Sequence, residues 1–139
     1  MPGDGLQVAS SRFTHAVTVR RLKTAIADAG LTLFAHIDQA AAARAAGLDL
    51  APLDLLLFGN PRAGTPLLRL APTIGLDLPL KALAWQDPHG AAWLGFNDPA
   101  WIAGRHGLGD GDQDVIEGMA RLQAELLAQV ASIPSEDGR

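Results

Sequence analysis

The chain has 139 residues, a mass of 14.5 kDa and a formal net charge of -4, from 11 Lys and Arg against 15 Asp and Glu. This length predicts a single domain that can bury a core without disulfides or a structural metal. The negative charge and the absence of a basic stripe argue against nucleic acid as a partner. Because the chain has no cysteine, thiol nucleophiles, thiolate metal sites and disulfides are excluded, which favours a cytoplasmic location.

The sequence also lacks the patterns that direct a chain to or through a membrane. No basic residue precedes an apolar stretch at the N-terminus, and no apolar run approaches the roughly 18 residues that a spanning helix needs. We therefore expect a soluble, unprocessed protein with no membrane partner.

The first part of the chain predicts alternating strands and helices. In chain order these are a strand over 6–12, a helix that begins at Thr14 or Thr18 and ends at Gly30, a strand over 31–38, a short alanine-rich helix over 40–46 and an apolar strand over 53–58. The strand over 31–38 alternates apolar and polar residues, which predicts one shared face for Leu31, Leu33, Ala35 and Ile37.

The second part predicts a helix, a hairpin and two further helices. In chain order these are a helix from Thr65 and Pro66 to Ala71, strands over 80–86 and 91–97 around the turn 87–90, a short helix after Asp98, a glycine-rich loop over 104–111 and a final helix over 113–132. The final helix has an apolar stripe formed by Val115, Met119, Leu122, Leu126, Val130 and Ile133. Strands joined by short links predict an α+β fold, with a mostly antiparallel sheet and helices on one face.

Four phrases of the sequence carry a resemblance to a known family. They are Phe58-Gly59-Asn60-Pro61, Gly64-Thr65-Pro66-Leu67, Asp77-Leu78-Pro79-Leu80 and Asn97-Asp98-Pro99. In order and spacing they resemble the pattern of the DUF302 family over about 13–108. The resemblance implies a two-layer α+β fold like that of the TATA-binding protein, and a homodimer. Many relatives have cysteines where this chain has Gly59 and Leu80, so thiol chemistry is not transferred.

The resemblance and the periodicity together suggest how the chain is divided. The expected parts are an N-terminal segment with the first strand over 1–12, a DUF302-like core over 13–108, an amphipathic helix over 109–133 that packs on the same domain, and a disordered tail over 134–139.

His36 and Asp38 form the first candidate site. Both project from the same face of the second predicted strand, where a carboxylate can orient an imidazole or where both side chains can contact one ligand. An exposed or interface polar pair explains the pattern equally well. A third metal ligand is not evident in the sequence, so we expect no metal site and no cofactor.

The junction from Asn60 through Gly64 to Thr65 is the second candidate site. Free backbone amides at the start of a helix can accept a carboxylate or phosphate, although a tight structural turn also accounts for these residue types. Lys81 and Trp85 share a strand face that we expect to align with His36 and Asp38, which would give either a ligand groove or a dimer interface.

Three functions remain open at this stage. The first is a homodimeric module that binds a small ligand, with an anion favoured, between the His36 and Asp38 face and the 60–65 junction. The second is an enzyme that uses His36 as an acid or base. The third is a structural protein-interaction domain. The lack of a complete set of catalytic residues places the enzyme below the other two.

Overall fold

The computed structural model describes residues 4–108 and 112–131. Across these residues the chain forms five strands, five α-helices and a short 3-10 helix. In chain order they are β1 Leu6–Ser10, α1 His15–Asp28, β2 Thr32–Asp38, α2 Gln39–Ala45, β3 Leu53–Gly59, α3 Pro61–Leu70, the 3-10 helix Pro72–Leu76, β4 Leu80–Gln86, β5 Ala92–Asn97, α4 Pro99–Arg105 and α5 Gln113–Ala128.

The strands form one antiparallel sheet in the order β1-β5-β4-β3-β2. The hairpin between β4 and β5 follows the turn that Asp87 and Gly90 predict, because Asp87 Oδ1 accepts from His89 N and Ala91 N. Gly90 has a φ of +86°, a conformation that favours glycine. The predicted α+β class with an antiparallel sheet is therefore confirmed.

The core lies between one face of the sheet and four of the helices. Side chains from the sheet and from α1, α3, α4 and α5 meet there, including Leu22, Leu56, Phe58, Leu67, Leu94, Ile102 and Leu126. Thr14 caps α1 as predicted, since its hydroxyl accepts from Val17 N. This core face of the sheet is thus covered, and the other face carries half-buried and exposed apolar residues.

The alternation predicted for the second strand is interrupted at Phe34. Leu33 lies opposite Phe58, whereas Ala35 lies opposite Leu57, so the register shifts between them. Directly paired residues share a face, and Phe58 is fully buried while its neighbour Leu57 lies on the other face. Leu33 and Ala35 therefore lie on opposite faces, and the predicted single apolar face of this strand is wrong.

The predicted start of the third helix is also wrong. Asn60 is the N-cap, with its Oδ1 accepting from Arg62 N at 2.9 Å, and Pro61 is the first helical residue. Pro66 consequently lies inside α3. Both Asn60-Pro61 and Thr65-Pro66 combine a capping residue with a proline, so the local sequence pattern alone does not distinguish the two helix starts.

The final helix docks its apolar stripe as predicted where the structure describes it. Leu126 and Val130 are buried, and Val115, Met119 and Leu122 are partly buried against the core. The helix ends at Ala128 instead of residue 132. The predicted contribution of Ile133, part of the predicted loop over 104–111 and the expected tail over 134–139 lie outside the described residues.

Candidate functional site

His36 belongs to a cluster with two residues that the sequence analysis missed. Its Nε2 lies 2.7 Å from Oδ2 of Asp54, and Nε2 of His15 lies 2.6 Å from Oδ1 of the same carboxylate. An ionised carboxylate only accepts hydrogen bonds, so both rings donate to it. The cluster joins the start of α1 to β2 and β3. Asp54 is the residue that could have revealed this cluster in the sequence, because a charged side chain at a core-facing position of an apolar strand requires partners.

The environment of Asp54 keeps it ionised. Burial alone would raise the pKa of this carboxyl, but the hydrogen bonds from His36 and His15 and the charge of the two rings lower its pKa below the usual value. Nδ1 of His36 lies 3.4 Å from Nζ of Lys23, so both nitrogens of that ring face polar partners. The arrangement therefore connects α1, β2 and β3 through side-chain hydrogen bonds.

Asp38 has a different role from the one proposed. Its Oδ1 accepts from Ala41 N at 2.9 Å and caps α2. Asp38 lies opposite Asp54, and His36 lies opposite buried Leu56, so both project towards the helices. They share a face as predicted, but Asp38 does not orient His36.

Lys81 and Trp85 lie on the opposite face of the sheet from His36. Lys81 is paired with Leu57 and Trp85 with Leu53, which places both on the face without the core. Burial lowers the pKa of the Lys81 ammonium, an effect that the charge of Asp77 partly opposes. The expected alignment of Lys81 and Trp85 with His36 and Asp38 is therefore wrong.

A pocket of about 580 Å³ lies at the start of α3, and we call it the α3–α5 pocket. Asn60, Gly64 and Thr65 of the second candidate site line it, but His36 of the first does not. The complete lining consists of Leu31, Phe34, Gly59, Asn60, Pro61, Ala63, Gly64, Thr65, Leu68, Leu78, Pro79, Leu80, Val115, Gly118, Met119, Arg121, Leu122 and Glu125. Leu56, which pairs with His36, lies three residues along β3 from Gly59 at the pocket, a separation of roughly 10 Å.

The backbone amides at the start of α3 are already occupied. Pro61 has no N–H, Arg62 N donates to Asn60 Oδ1, and the amides of Ala63 and Gly64 donate to Asn60 O at 2.9 and 3.0 Å. The first turn therefore offers no cluster of free donors to an anion, and that part of the predicted site is wrong. The sequence could not reveal this, because it depends on where the helix begins.

Two helical glycines line the α3–α5 pocket, one in each facing helix. A Cβ built on Gly64 of α3 meets nothing within 4 Å, and one built on Gly118 of α5 meets only a terminal guanidinium nitrogen of Arg121, at 3.8 Å. Both positions therefore have room for a Cβ atom without a backbone clash. Their glycines leave the space between α3 and α5 open.

A second histidine cluster lies where the 3-10 helix meets the end of α4. Nε2 of His106 lies 2.5 Å from Oδ2 of Asp77, its Nδ1 lies 2.9 Å from the Thr73 hydroxyl, and Arg105 donates to both oxygens of Asp77. Burial alone would raise the pKa of Asp77, but the His106 hydrogen bond and the Arg105 charge lower it. The cluster holds the end of α4 against the segment before β4.

Within residues 4–108 and 112–131, no group of three or more His, Asp or Glu side chains is arranged to hold a metal ion. Nor does any helix in this part of the chain have the length and apolar character to cross a membrane.

Comparison with protein families matches the DUF302 model, described as a domain of unknown function, over residues 6–126. The chain belongs to the DUF302 family. A crystal structure of an uncharacterised conserved DUF302 protein from Bacillus stearothermophilus shares the fold, with a TM-score of 0.72 at 20% identity over 91% of this chain and 95% of that one. The expected family membership is confirmed.

Relatives with higher identity to this DUF302 domain come from Brucella. The fluoride-specific ion channels FluC 1 of Brucella suis biovar 1 (strain 1330) and of Brucella abortus biovar 1 (strain 9-941) are each 45% identical to it over 115 residues. The match covers 83% of this chain but 45% and 43% of those proteins. The chain thus spans less than half the length of these relatives.

Proposed function

We propose that this domain binds a small, largely apolar molecule in the α3–α5 pocket. The volume of about 580 Å³ falls within the range of roughly 300–1,000 Å³ that is typical of small-molecule sites. Most of the lining is apolar. The walls include three residues each from the phrases around Asn60 and Pro79 that carry the family resemblance, and two from the phrase around Thr65.

The two glycines carry this proposal. Glycine inside a helix is about 1 kcal/mol less favourable than alanine, and neither position shows a steric need for it. A purely structural helix pair would be more stable with alanine at Gly64 and Gly118. With glycine at these positions, each wall of the pocket is one methyl group wider than it would be with alanine, at the expense of helix stability.

The polar residues of the pocket favour binding without chemistry. They are Asn60, Thr65, Arg121 and Glu125, and none forms a nucleophile–base pair by a hydrogen bond within the described structure. His36, the acid or base of the catalytic alternative, is held by Asp54 away from this pocket. We therefore favour a binding module over an enzyme.

Filling the pocket from Gly64 tests the proposal. Gly64→Leu should place a side chain in the open space beside α3 and abolish ligand binding, while Gly64→Ala should retain most of the space and stabilise the helix. A compound library screened by ligand-observed NMR on the wild type and both variants gives the measurement. Compounds that bind Gly64→Leu as tightly as the wild type would place the site elsewhere.

The Brucella channels support a second proposal, about the biological setting. A domain 45% identical to this one over 115 residues forms part of proteins named as fluoride-specific ion channels. We propose that this domain acts in the cell alongside fluoride transport. A strain that lacks it should grow more poorly than its parent in fluoride, with chloride at equal concentration as the control. Equal fluoride tolerance of the two strains would contradict this role.

We also propose that the domain forms a homodimer through its uncovered sheet face. That face is lined by Leu6, Val8, Leu53, Leu55, Lys81, Leu83, Trp85, Gly95, Phe96 and Asn97. Leu6 and Val8 are about half exposed, at 51% and 48%. An apolar surface of this kind is typical of an interface, and a two-fold pairing would cover it in both copies.

A further inference from the structure

We infer that the ligand of the α3–α5 pocket is an apolar carboxylic acid whose head group pairs with Arg121. This inference rests on the proposed function of the pocket and adds the chemical class of its ligand. It follows from the polar groups that the pocket presents and from the places where they lie.

Arg121 is the positively charged side chain of the pocket lining. It projects from α5 and has no hydrogen-bond or ion-pair partner among the described residues, and its terminal nitrogen lies close to the Cβ position of Gly118. A guanidinium presents paired donors in a planar fork that matches the two oxygens of a carboxylate.

The opposite wall adds further donors. Among the described residues, neither the side-chain nitrogen of Asn60 nor the Thr65 hydroxyl has a hydrogen-bond partner, and the Asn60 side chain uses only its oxygen, to cap Arg62 N. These groups face the same cavity as Arg121. The unpaired hydrogen-bond donors of the pocket therefore outnumber its acceptors, and the carboxylate of Glu125 is the charged acceptor. A ligand with a head group rich in acceptors is favoured.

The rest of the lining suits a hydrocarbon tail. Leu31, Phe34, Leu68 and Met119 form apolar walls, and the unbranched thioether of Met119 adapts to tails of different shape. The backbone amides of α3 contribute nothing to the head group, since they are already bonded. The preference for a carboxylate over a neutral head group consequently depends on Arg121.

Three probes with the same tail separate the contributions of head and tail: octanoate, 1-octanol and octylammonium, each below the concentration at which it self-associates. Isothermal titration calorimetry on the wild type should show octanoate binding about three- to tenfold more tightly than 1-octanol, the range expected for one partly exposed charged hydrogen bond. Arg121→Gln should remove this preference and leave 1-octanol binding unchanged. Arg69→Gln, which changes an exposed arginine of α3 outside the pocket, should keep the preference.

The outcomes distinguish this inference from the proposed function. If 1-octanol binds and octanoate gains nothing over it, the carboxylate inference is overturned while the pocket retains its role. The inference is also overturned if octylammonium binds most tightly and Glu125→Gln removes that advantage. If none of the probes binds at millimolar concentration, the inference fails, and the Gly64→Leu comparison alone decides whether the pocket binds ligands.

Discussion

Asp54 shows how a single residue connects the elements on one side of the domain. It lies at a core-facing position of β3, where an unpaired carboxylate would be costly, and it is only 8% exposed. His15 from α1 and His36 from β2 each donate to one of its oxygens. Because the three side chains come from three elements, their hydrogen bonds fix how the first helix meets this edge of the sheet.

We expect Asp54→Asn to destabilise the domain by about 1–3 kcal/mol at neutral pH, because a neutral amide cannot accept from both rings as a carboxylate does. The lowered pKa of Asp54 in the folded state means that its contribution is present above the unfolded pKa, about 3.9, and is lost as pH falls through the folded pKa. Urea unfolding of the wild type and the variant between pH 7 and pH 3 measures this.

The difference in unfolding free energy between the two proteins should therefore narrow below about pH 4. Asp28→Asn provides the control, since Asp28 is exposed on α1 and accepts no side-chain hydrogen bond within the described structure. That control should unfold like the wild type at neutral pH. Identical behaviour of Asp54→Asn and the wild type would show that the cluster does not stabilise the fold.

At the scale of elements, local signals predicted most strands and helices but not their exact ends. The turn at Asp87 to Gly90 and the cap at Thr14 were identifiable because each depends on a few adjacent residues. The bulge at Phe34 was not identifiable, since it arises from how β2 pairs with β3. The start of α3 had two equivalent local signals, and only packing decides between Asn60 and Thr65.

The candidate site likewise combines residues that local sequence signals identify with residues that only the fold brings together. Asn60, Gly64 and Thr65 were predicted from the junction between a strand and a helix, and they do line the pocket. The facing wall comes from α5, which is distant in sequence, so Gly118 and Arg121 could not be connected with them. The face of Lys81 and Trp85 was misassigned relative to His36 because the register of β2 was unknown.

We expect Leu126→Asp to destabilise the domain by at least about 3 kcal/mol, because Leu126 is 2% exposed within the core and an aspartate there would be buried without a partner. Thermal unfolding followed by circular dichroism measures the loss. Ala120→Asp, at an exposed position of the same helix, should cost only about 0.5 kcal/mol through helix propensity. An unchanged melting temperature for Leu126→Asp would mean that α5 is not docked in solution.

At the scale of the whole molecule, the sheet has one covered face and one open face. The antiparallel arrangement and the helices on one side could be predicted from short links between strands, but the pairing of β1 with β5 joins the two ends of the fold and has no local signal. That pairing extends the open face, because it brings Leu6 and Val8 beside Gly95 and Asn97. Trp85 packs over Gly95, where a Cβ would come within 3.1 Å of its ring.

We expect the domain to be a dimer in which this open face meets its copy, because the apolar side chains from β1, β3 and β4 are otherwise left in water. Light scattering coupled to size exclusion should give twice the chain mass of 14.5 kDa. Val8→Glu should produce a monomer, since a charge in a buried interface lacks a partner. Leu76→Glu, which changes a residue that is 72% exposed in the 3-10 helix, should remain dimeric.

A wild type that stays at the single-chain mass at high micromolar concentration would refute the dimer. Monomers from both variants would show instead that the interface is not confined to the sheet.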